Sequence, residues 1–136
     1  MSEKQNKIEL EIVTPAKLLF TTIADMVVIP GVEGDFGVLI GHAPLLAQVR
    51  AGTIDIYEDD KISAKIFVEG GIAEVTSGRC TILAEEALMT VDIDETTAVE
   101  RLKKARADQE RDENHIDGLD MPEVVAAEAQ VIAAQS

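Results

Sequence analysis

The chain has 136 residues, of which 46% are hydrophobic, and its 26 acidic and 12 basic residues give a formal net charge of −14. This length fits one compact domain with a small appendage, and the hydrophobic fraction is that of a folded chain rather than a disordered acidic tail. The chain has too few basic residues to bind a run of phosphates, and one Tyr with three Phe is too few aromatic residues to stack on nucleic-acid bases. Its acidic surface suits basic protein partners instead.

The first residues, MSEKQNKIELE, lack the apolar block of a secretory signal and the Arg-rich, acid-poor character of an organelle presequence. Further along the chain, no apolar run reaches the roughly 20 residues that span a bilayer. We therefore expect a soluble, cytoplasmic chain without membrane insertion.

Short β-branched runs fill the chain from Ile8 to about Met89. In the first run, Ile8, Leu10 and Ile12 alternate with polar residues, which predicts a strand with one buried face. Cys80 is the only cysteine, so no intrachain disulfide can form, and its apolar neighbours predict a buried strand position.

Turn-forming residues separate these runs at regular intervals. They are Thr14-Pro15, Pro30-Gly31, Ala51-Gly52, Glu58-Asp59-Asp60, Gly70-Gly71 and Ser77-Gly78. This rhythm predicts an antiparallel β-sandwich or barrel. No helix-length pattern interrupts the strands, which disfavours a parallel sheet of strand-helix-strand units.

After Val91 the apolar spacing changes to three or four residues, which predicts an amphipathic helix with Asp94 as its cap and a solvated basic and acidic face. A turn follows, and Asp120, Pro122 and Glu123 predict the start of a second helix through a reciprocal cap. The apolar stripe of this helix is predicted at Val124, Val125, Val131 and Ile132. We therefore predict an all-β sandwich over residues 1–90 and an antiparallel two-helix hairpin over residues 91–136.

The Gly-rich segment from Gly31 to Gly37 does not read as a phosphate cradle, because Glu33 and Asp35 would repel phosphate and no helix opens there. His42 has His115 as its only imidazole companion, so the ligands of a metal site are missing. The acidic residues Asp92, Asp94 and Glu95 lack the spacing of a calcium loop and fit helix capping instead.

Two segments resemble a known family. VVIPGVEGDFGVL, from Val27 to Leu39, followed by GHAPLL, from Gly41 to Leu46, resembles the characteristic segment of ATP synthase epsilon subunits. GGIAEV, from Gly70 to Val75, resembles the family's Gly-Gly strand turn. The similarity covers essentially the whole chain, and it points to the epsilon subunit of bacterial-type F1Fo ATP synthase, the equivalent of the mitochondrial delta subunit.

The resemblance implies the architecture that the two sequence patterns predict independently. It also implies a non-catalytic central-stalk (rotor) subunit of a proton-translocating enzyme, whose sandwich binds the gamma subunit and rests on the polar loops of the c-ring. Asp35 and His42 match motif positions near this contact and are assigned interface roles. No catalytic residue, metal or cofactor is implied, and the location is peripheral, at the cytoplasmic face of the bacterial inner membrane.

In some relatives the hairpin binds ATP through the motif Ile/Leu-Asp-x-x-Arg-Ala. Asp94 is a remnant of that motif here, because Thr97 stands in place of the arginine that would meet phosphate. Relatives also extend a cationic second helix to the alpha and beta subunits and inhibit ATP hydrolysis, whereas Met121 to Ser136 contains no Lys or Arg. At most weak regulation is therefore predicted.

Two alternatives stay open on the sequence. An ATP-responsive regulator would rest on Asp94, and a hydrolase would rest on an acid-base pair of Asp35 with His42.

Overall fold

The computed structural model describes residues 6–16 and 18–136. The described chain has eight strands and two α-helices, joined by a short 3-10 turn at Thr90–Asp92. The strands are β1 (Ile8–Val13), β2 (Leu18–Ala24), β3 (Met26–Gly31), β4 (Gly34–Val38), β5 (Leu45–Glu58), β6 (Lys61–Val75), β7 (Arg79–Ala84) and β8 (Ala87–Met89). The helices are α1 (Glu95–Arg111) and α2 (Pro122–Ala134). The predicted fold class, a β-sandwich followed by two helices, is confirmed.

Hydrogen bonds connect the strands in the order β2-β1-β7-β6-β5-β3-β4, and β8 pairs with β6. Strands β1 and β3 are far apart in this order, yet they contact each other, so the sheet folds over on itself as a sandwich. The prediction of an antiparallel sheet was wrong for one pair, because β1 and β7 run parallel. These two strands are joined through five others rather than by a hairpin, so no tight turn forces them to run antiparallel.

The longest element is the hairpin of β5 and β6, which pairs from Leu45 with Val75 to Glu58 with Lys61. Its tip confirms the turn predicted at Glu58-Asp59-Asp60, because Asp59 and Asp60 have φ values of 52° and 65°. The turns predicted at Ala51-Gly52 and Gly70-Gly71 were wrong, since both dipeptides lie inside continuous strands.

Gly70 and Gly71 bend β6 instead of reversing it. Their φ values are 80° and 143°, and a Cβ on Gly71 would lie 2.0 Å from the Leu83 carbonyl oxygen. Glycine is therefore required at position 71 both by the backbone conformation and by the close approach of β7. The turn predicted at Pro30-Gly31 likewise falls later, at Val32-Glu33, since both predicted residues still belong to β3.

One cluster of buried apolar side chains fills the sandwich. The predicted inward face of β1 is confirmed, because Ile8, Leu10 and Ile12 are fully buried. Each such side chain contributes about 1.5–3 kcal/mol by leaving water. Cys80 lies in the same cluster, and burial raises the pKa of its thiol to about 12, which leaves it unreactive in the folded chain.

The two helices pack against each other through a small cluster of Leu102, Ala105, Val124 and Ala127. The stripe predicted for α2 was wrong at Val125 and Ile132, which are 47% and 61% exposed. These two residues are seven apart and share a different face from Val124 and Ala127. No helix in the described part of the chain is long and apolar enough to cross a membrane.

The predicted cap of α2 was also wrong, because the helix begins after Met121 and no side chain caps it. The buried Gln109 of α1 instead binds the Asp120 side chain and the Met121 amide, at the start of α2. It donates to Asp120 Oδ1 at 3.1 Å and accepts from the Met121 amide at 2.6 Å. Glu123 accepts a hydrogen bond from Arg101 instead of capping α2.

Gly71→Ala should destabilise the fold much more than Gly34→Ala. Both glycines have φ values in the left-handed half of the map, 143° and 134°, but a Cβ at position 34 meets nothing within 4 Å. Strain alone costs roughly 1–3 kcal/mol, and we expect the clash at position 71 to add a cost of about the same size. Urea unfolding of the two variants measures the difference, and equal losses of unfolding free energy would contradict the close approach of β6 and β7.

Candidate protein-interaction site

The β3–β4 hairpin presents a narrow tip at one edge of the sandwich. Pro30 pairs with Asp35 and Gly31 with Gly34, which leaves Val32 and Glu33 at the reversal. Val32 is 52% exposed, and Glu33 is exposed without an ion-pair partner among the described residues. The tip therefore offers one apolar side chain and one uncompensated carboxylate.

Arg50, on β5, fixes the base of this tip. Its guanidinium donates to Asp35 Oδ1 and to the Gly31 carbonyl oxygen, both at 2.6 Å. Both side chains of the pair are well exposed, so the ion pair contributes at most about 1 kcal/mol of stability. The pair offsets the charge of Asp35 and orients the hairpin, which makes Glu33 the freer acid at this edge.

His42 lies on the loop between β4 and β5, half exposed. Its Nδ1 donates to the Ala43 carbonyl oxygen at 2.7 Å, and the neighbouring Gly41 amide donates to Ser77 at 2.6 Å. Asp35 and His42 share no hydrogen bond in the described chain, so the acid-base pair of a hydrolase is not assembled. No group of three or more His, Cys, Asp or Glu residues that could hold a metal occurs among the residues described.

An apolar groove runs across the outer face of β5, β6 and β7. Leu46, Ile72 and Leu83 are 71%, 45% and 52% exposed, and Ile72 pairs directly with Leu83 across the strands. Val13 and Pro15 border the same groove, whose volume is about 740 Å³. We call this surface, defined by Val13, Leu46, Ile72 and Leu83, the apolar groove.

The apolar groove is continuous with the hairpin tip. A second depression of about 580 Å³ is lined by the tip residues and by Leu45 to Gln48, and Leu46 lines both depressions. The sequence patterns did not predict this surface. The sequence does contain an indication of it, because Ile72 is adjacent to the buried Ala73 and Leu83 is adjacent to the buried Ile82. Adjacent residues of a strand lie on opposite faces, so β6 and β7 carry apolar side chains on both faces here.

Asp94 is the N-cap residue of α1, the position predicted for it, but its side chain makes no capping hydrogen bond. The Thr97 hydroxyl donates to Asp94 Oδ2 at 2.5 Å, and this hydrogen bond lowers the pKa of the Asp94 carboxyl. The nearby cavity between helices and sandwich, about 350 Å³, is lined by two acids, Glu69 and Glu86, and by a single cation, Arg101. Since Glu69 already binds Arg101, this lining has no free cation for phosphate.

Comparison with known proteins gives a consistent result. The family model described as ATP synthase, Delta/Epsilon chain, beta-sandwich domain matches residues 7–90. The chain is 45% identical over 132 residues to the ATP synthase epsilon chain of Paramagnetospirillum magneticum, covering 93% of this chain and 96% of the relative. It is 46% identical over 112 residues to that of Rhodospirillum rubrum, covering 77% and 84% respectively.

Two solved structures have a similar fold. A chain in the cryo-electron microscopy structure of the Euglena gracilis mitochondrial ATP synthase, comprising OSCP, F1 and c-ring, superposes with a TM-score of 0.74 at 25% identity, covering 96% of this chain and 81% of that one. A chain in the central stalk and c-ring structure of the Tetrahymena thermophila mitochondrial ATP synthase superposes with a TM-score of 0.51 at 19% identity, covering 96% and 93%. The second likeness concerns the fold alone.

Thr97→Val should raise the pKa of Asp94 toward the ordinary aspartate value, because the hydroxyl that stabilises the carboxylate is lost. In the wild type, the lowered pKa of Asp94 stabilises the folded chain when the pH is above the ordinary aspartate pKa. This stabilisation is lost as the pH falls through the folded-state pKa. NMR titration of the Asp94 side chain measures both values. Thr97→Ser keeps a hydroxyl and is the matched control, and identical midpoints in wild type and Thr97→Val would contradict the assignment.

Proposed function

The chain belongs to the ATP synthase delta/epsilon chain family, and from this premise we propose that it is the central-stalk subunit joining gamma to the c-ring of a proton-translocating enzyme. Chains of this family named epsilon are non-catalytic subunits of the complex. The observation that carries the proposal is the exposed apolar groove, because large apolar side chains clustered at the surface on adjacent strands indicate a protein partner.

The gamma subunit is the proposed occupant of the apolar groove. Leu46, Ile72 and Leu83 project from adjacent strands of a rigid sheet, so a partner can cover them without reorganising the sandwich. Covering each side chain contributes about 1 kcal/mol or more, and well-packed apolar anchors at the centre of an interface dominate binding. Glu85, which lines the groove, then favours a partner surface with a basic rim.

The hairpin tip is the proposed contact with the polar loops of the c-ring. Glu33 supplies the free charge, Val32 a small apolar contact, and Asp35 shapes the tip through Arg50. His42 lies on the neighbouring loop and is proposed to contact the same partners. Charged contacts of this kind mainly set register and association rate. The resulting position is peripheral, at the cytoplasmic face of the bacterial inner membrane.

The proposed division of labour places docking in residues 1–90 and any regulation in the hairpin, residues 91–136. Nucleotide sensing is not part of the proposal, because Thr97 replaces the expected arginine and Arg101 is bound by Glu69. Contact of the hairpin with the alpha and beta subunits would have to proceed without cations on α2, since Met121 to Ser136 has none. We therefore propose weak regulation of ATP hydrolysis at most.

Leu46→Glu should weaken capture of co-expressed gamma subunit by at least about tenfold, because it places a charge in the apolar groove. The matched control is Ile62→Glu, which alters a side chain of β6 that is 42% exposed and lies outside the groove. Pull-down with quantified gamma measures both.

Equal capture of gamma by wild type, Leu46→Glu and Ile62→Glu would remove the apolar groove from the interface. Loss of gamma capture with Ile62→Glu alone would place the gamma contact at the opposite end of the β5–β6 hairpin.

A further inference from the structure

The loop between the two helices contains a tight turn with Asp117 and Gly118 at its centre. The Leu119 amide donates to the Ile116 carbonyl oxygen at 3.1 Å, which closes the turn. Gly118 has a φ of 86°, the left-handed conformation that glycine supplies at the third position of such a turn. Within the described part of the chain, the Gly118 amide and the Asp117 carboxylate make no hydrogen bond or ion pair. Both groups are therefore free to react with each other.

The sequence around Asp117 favours this reaction. It is the single place in the chain where an Asp or Asn precedes a Gly. Both residues are exposed, and a Cβ placed on Gly118 would meet nothing within 4 Å. Because glycine has no side chain, its amide nitrogen is open to the carboxyl carbon of the residue before it. A nucleophile and an electrophile thus lie next to each other at the surface.

Asp120 lies in the same loop and is also exposed, but its reactive groups are engaged. The amide that follows it belongs to Met121 and donates to Gln109 Oε1 at 2.6 Å. The Asp120 carboxylate accepts from Gln109 Nε2 at 3.1 Å. An amide in a hydrogen bond has to give up that bond before its nitrogen can attack. Asp120 is therefore protected where Asp117 is not.

Asn114 is a further residue of this loop whose side chain could be attacked by the next amide. That amide belongs to His115 and donates to the Asp112 carbonyl oxygen at 3.1 Å. The Asn114 amide itself is held by Asp112 Oδ1 at 2.8 Å. Asn114 is thus restrained on the same grounds as Asp120.

We propose that Asp117 is a modification site at which the chain spontaneously forms isoaspartate. The Gly118 nitrogen attacks Asp117 Cγ, and the amide hydrogen leaves with the carboxyl hydroxyl as water, which gives a cyclic imide. Water then adds to either carbonyl carbon of this ring. Addition at the main-chain carbon of Asp117 breaks its bond to Gly118 and leaves the backbone running through Cγ. Water is released in the first step and consumed in the second, so no other reactant is needed.

The rearrangement adds one atom to the backbone of the turn and converts the side-chain carboxylate into an α-carboxylate. The added atom lies between Ile116 and Leu119, whose hydrogen bond closes the turn, and beside the 2.8 Å contact of His115 Nε2 with the Leu119 carbonyl oxygen. Isoaspartyl carboxyl methyltransferases esterify such an α-carboxylate, so the modified chain is a substrate for this class of enzyme. The modification depends on the turn and not on the proposed rotor role.

Oxygen-18 water tests the proposal on the folded, full-length chain, because each closing and opening of the ring incorporates one oxygen atom from water. After several weeks at neutral pH, trypsin releases residues 112–136, which contain no Lys or Arg, and fragment masses assign the label to single residues. Asp117 should gain label at least about tenfold faster than Asp120. Esterification by an isoaspartyl carboxyl methyltransferase should rise in parallel.

A synthetic peptide of residues 112–121 separates the effect of the fold from that of the sequence. The folded chain and the peptide should label Asp117 at rates within about tenfold of each other, whereas Asp120 should label at least about tenfold more slowly in the folded chain. Asp117→Glu keeps the charge but would require a larger ring. This variant should lose both the label at position 117 and the methyl esterification.

Labelling of Asp117 more than about tenfold slower in the folded chain than in the peptide would overturn the proposal, because the turn would then protect the site. Methyl esterification that persists in Asp117→Glu would also overturn it, since the isoaspartate would then form elsewhere in the chain.

Discussion

The bend of β6 at Gly70 and Gly71 is the constraint on which both surfaces of the molecule depend. The strand passes β7 so closely at position 71 that a methyl group would overlap the Leu83 carbonyl. Glu69, directly before the bend, meets Arg101 of α1, whereas Ile72, directly after it, lies in the apolar groove. The same stretch of β6 therefore contributes Glu69 to the contact with the helices and Ile72 to the apolar groove.

The two surfaces rely on different physical interactions. The exposed Leu46, Ile72 and Leu83 of the apolar groove project from paired strands, which suits a lasting contact with a partner protein. The hairpin is joined to the sandwich by the partly buried Glu69–Arg101 ion pair and by contacts of α2 with β5 and β6.

Much of this fold could be predicted from local patterns, because alternation in β1 and the Asp59-Asp60 turn are short-range signals. The turns predicted at Gly70-Gly71 and Ala51-Gly52 were wrong, because glycine occurs inside strands as well as in turns. Only the pairing of β6 with β5 and β7 shows that these strands continue. Arg101 could not be identified from its sequence neighbours, because its partner Glu69 lies 32 positions away. The parallel pairing of β1 with β7 is likewise a long-range outcome. Asp35 and His42 remain predictions, and the apolar groove has become the stronger candidate interface.

If the gamma subunit occupies the apolar groove as proposed, the outer face of β5 to β7 is covered in the assembled enzyme. Maleimide labelling of Leu83→Cys and Ile62→Cys, in the free chain and in purified ATP synthase, tests it most directly, since the buried native Cys80 adds little background. We predict that both cysteines react in the free chain and that assembly protects Leu83→Cys alone. Equal labelling of the two positions in the complex would contradict a covered apolar groove.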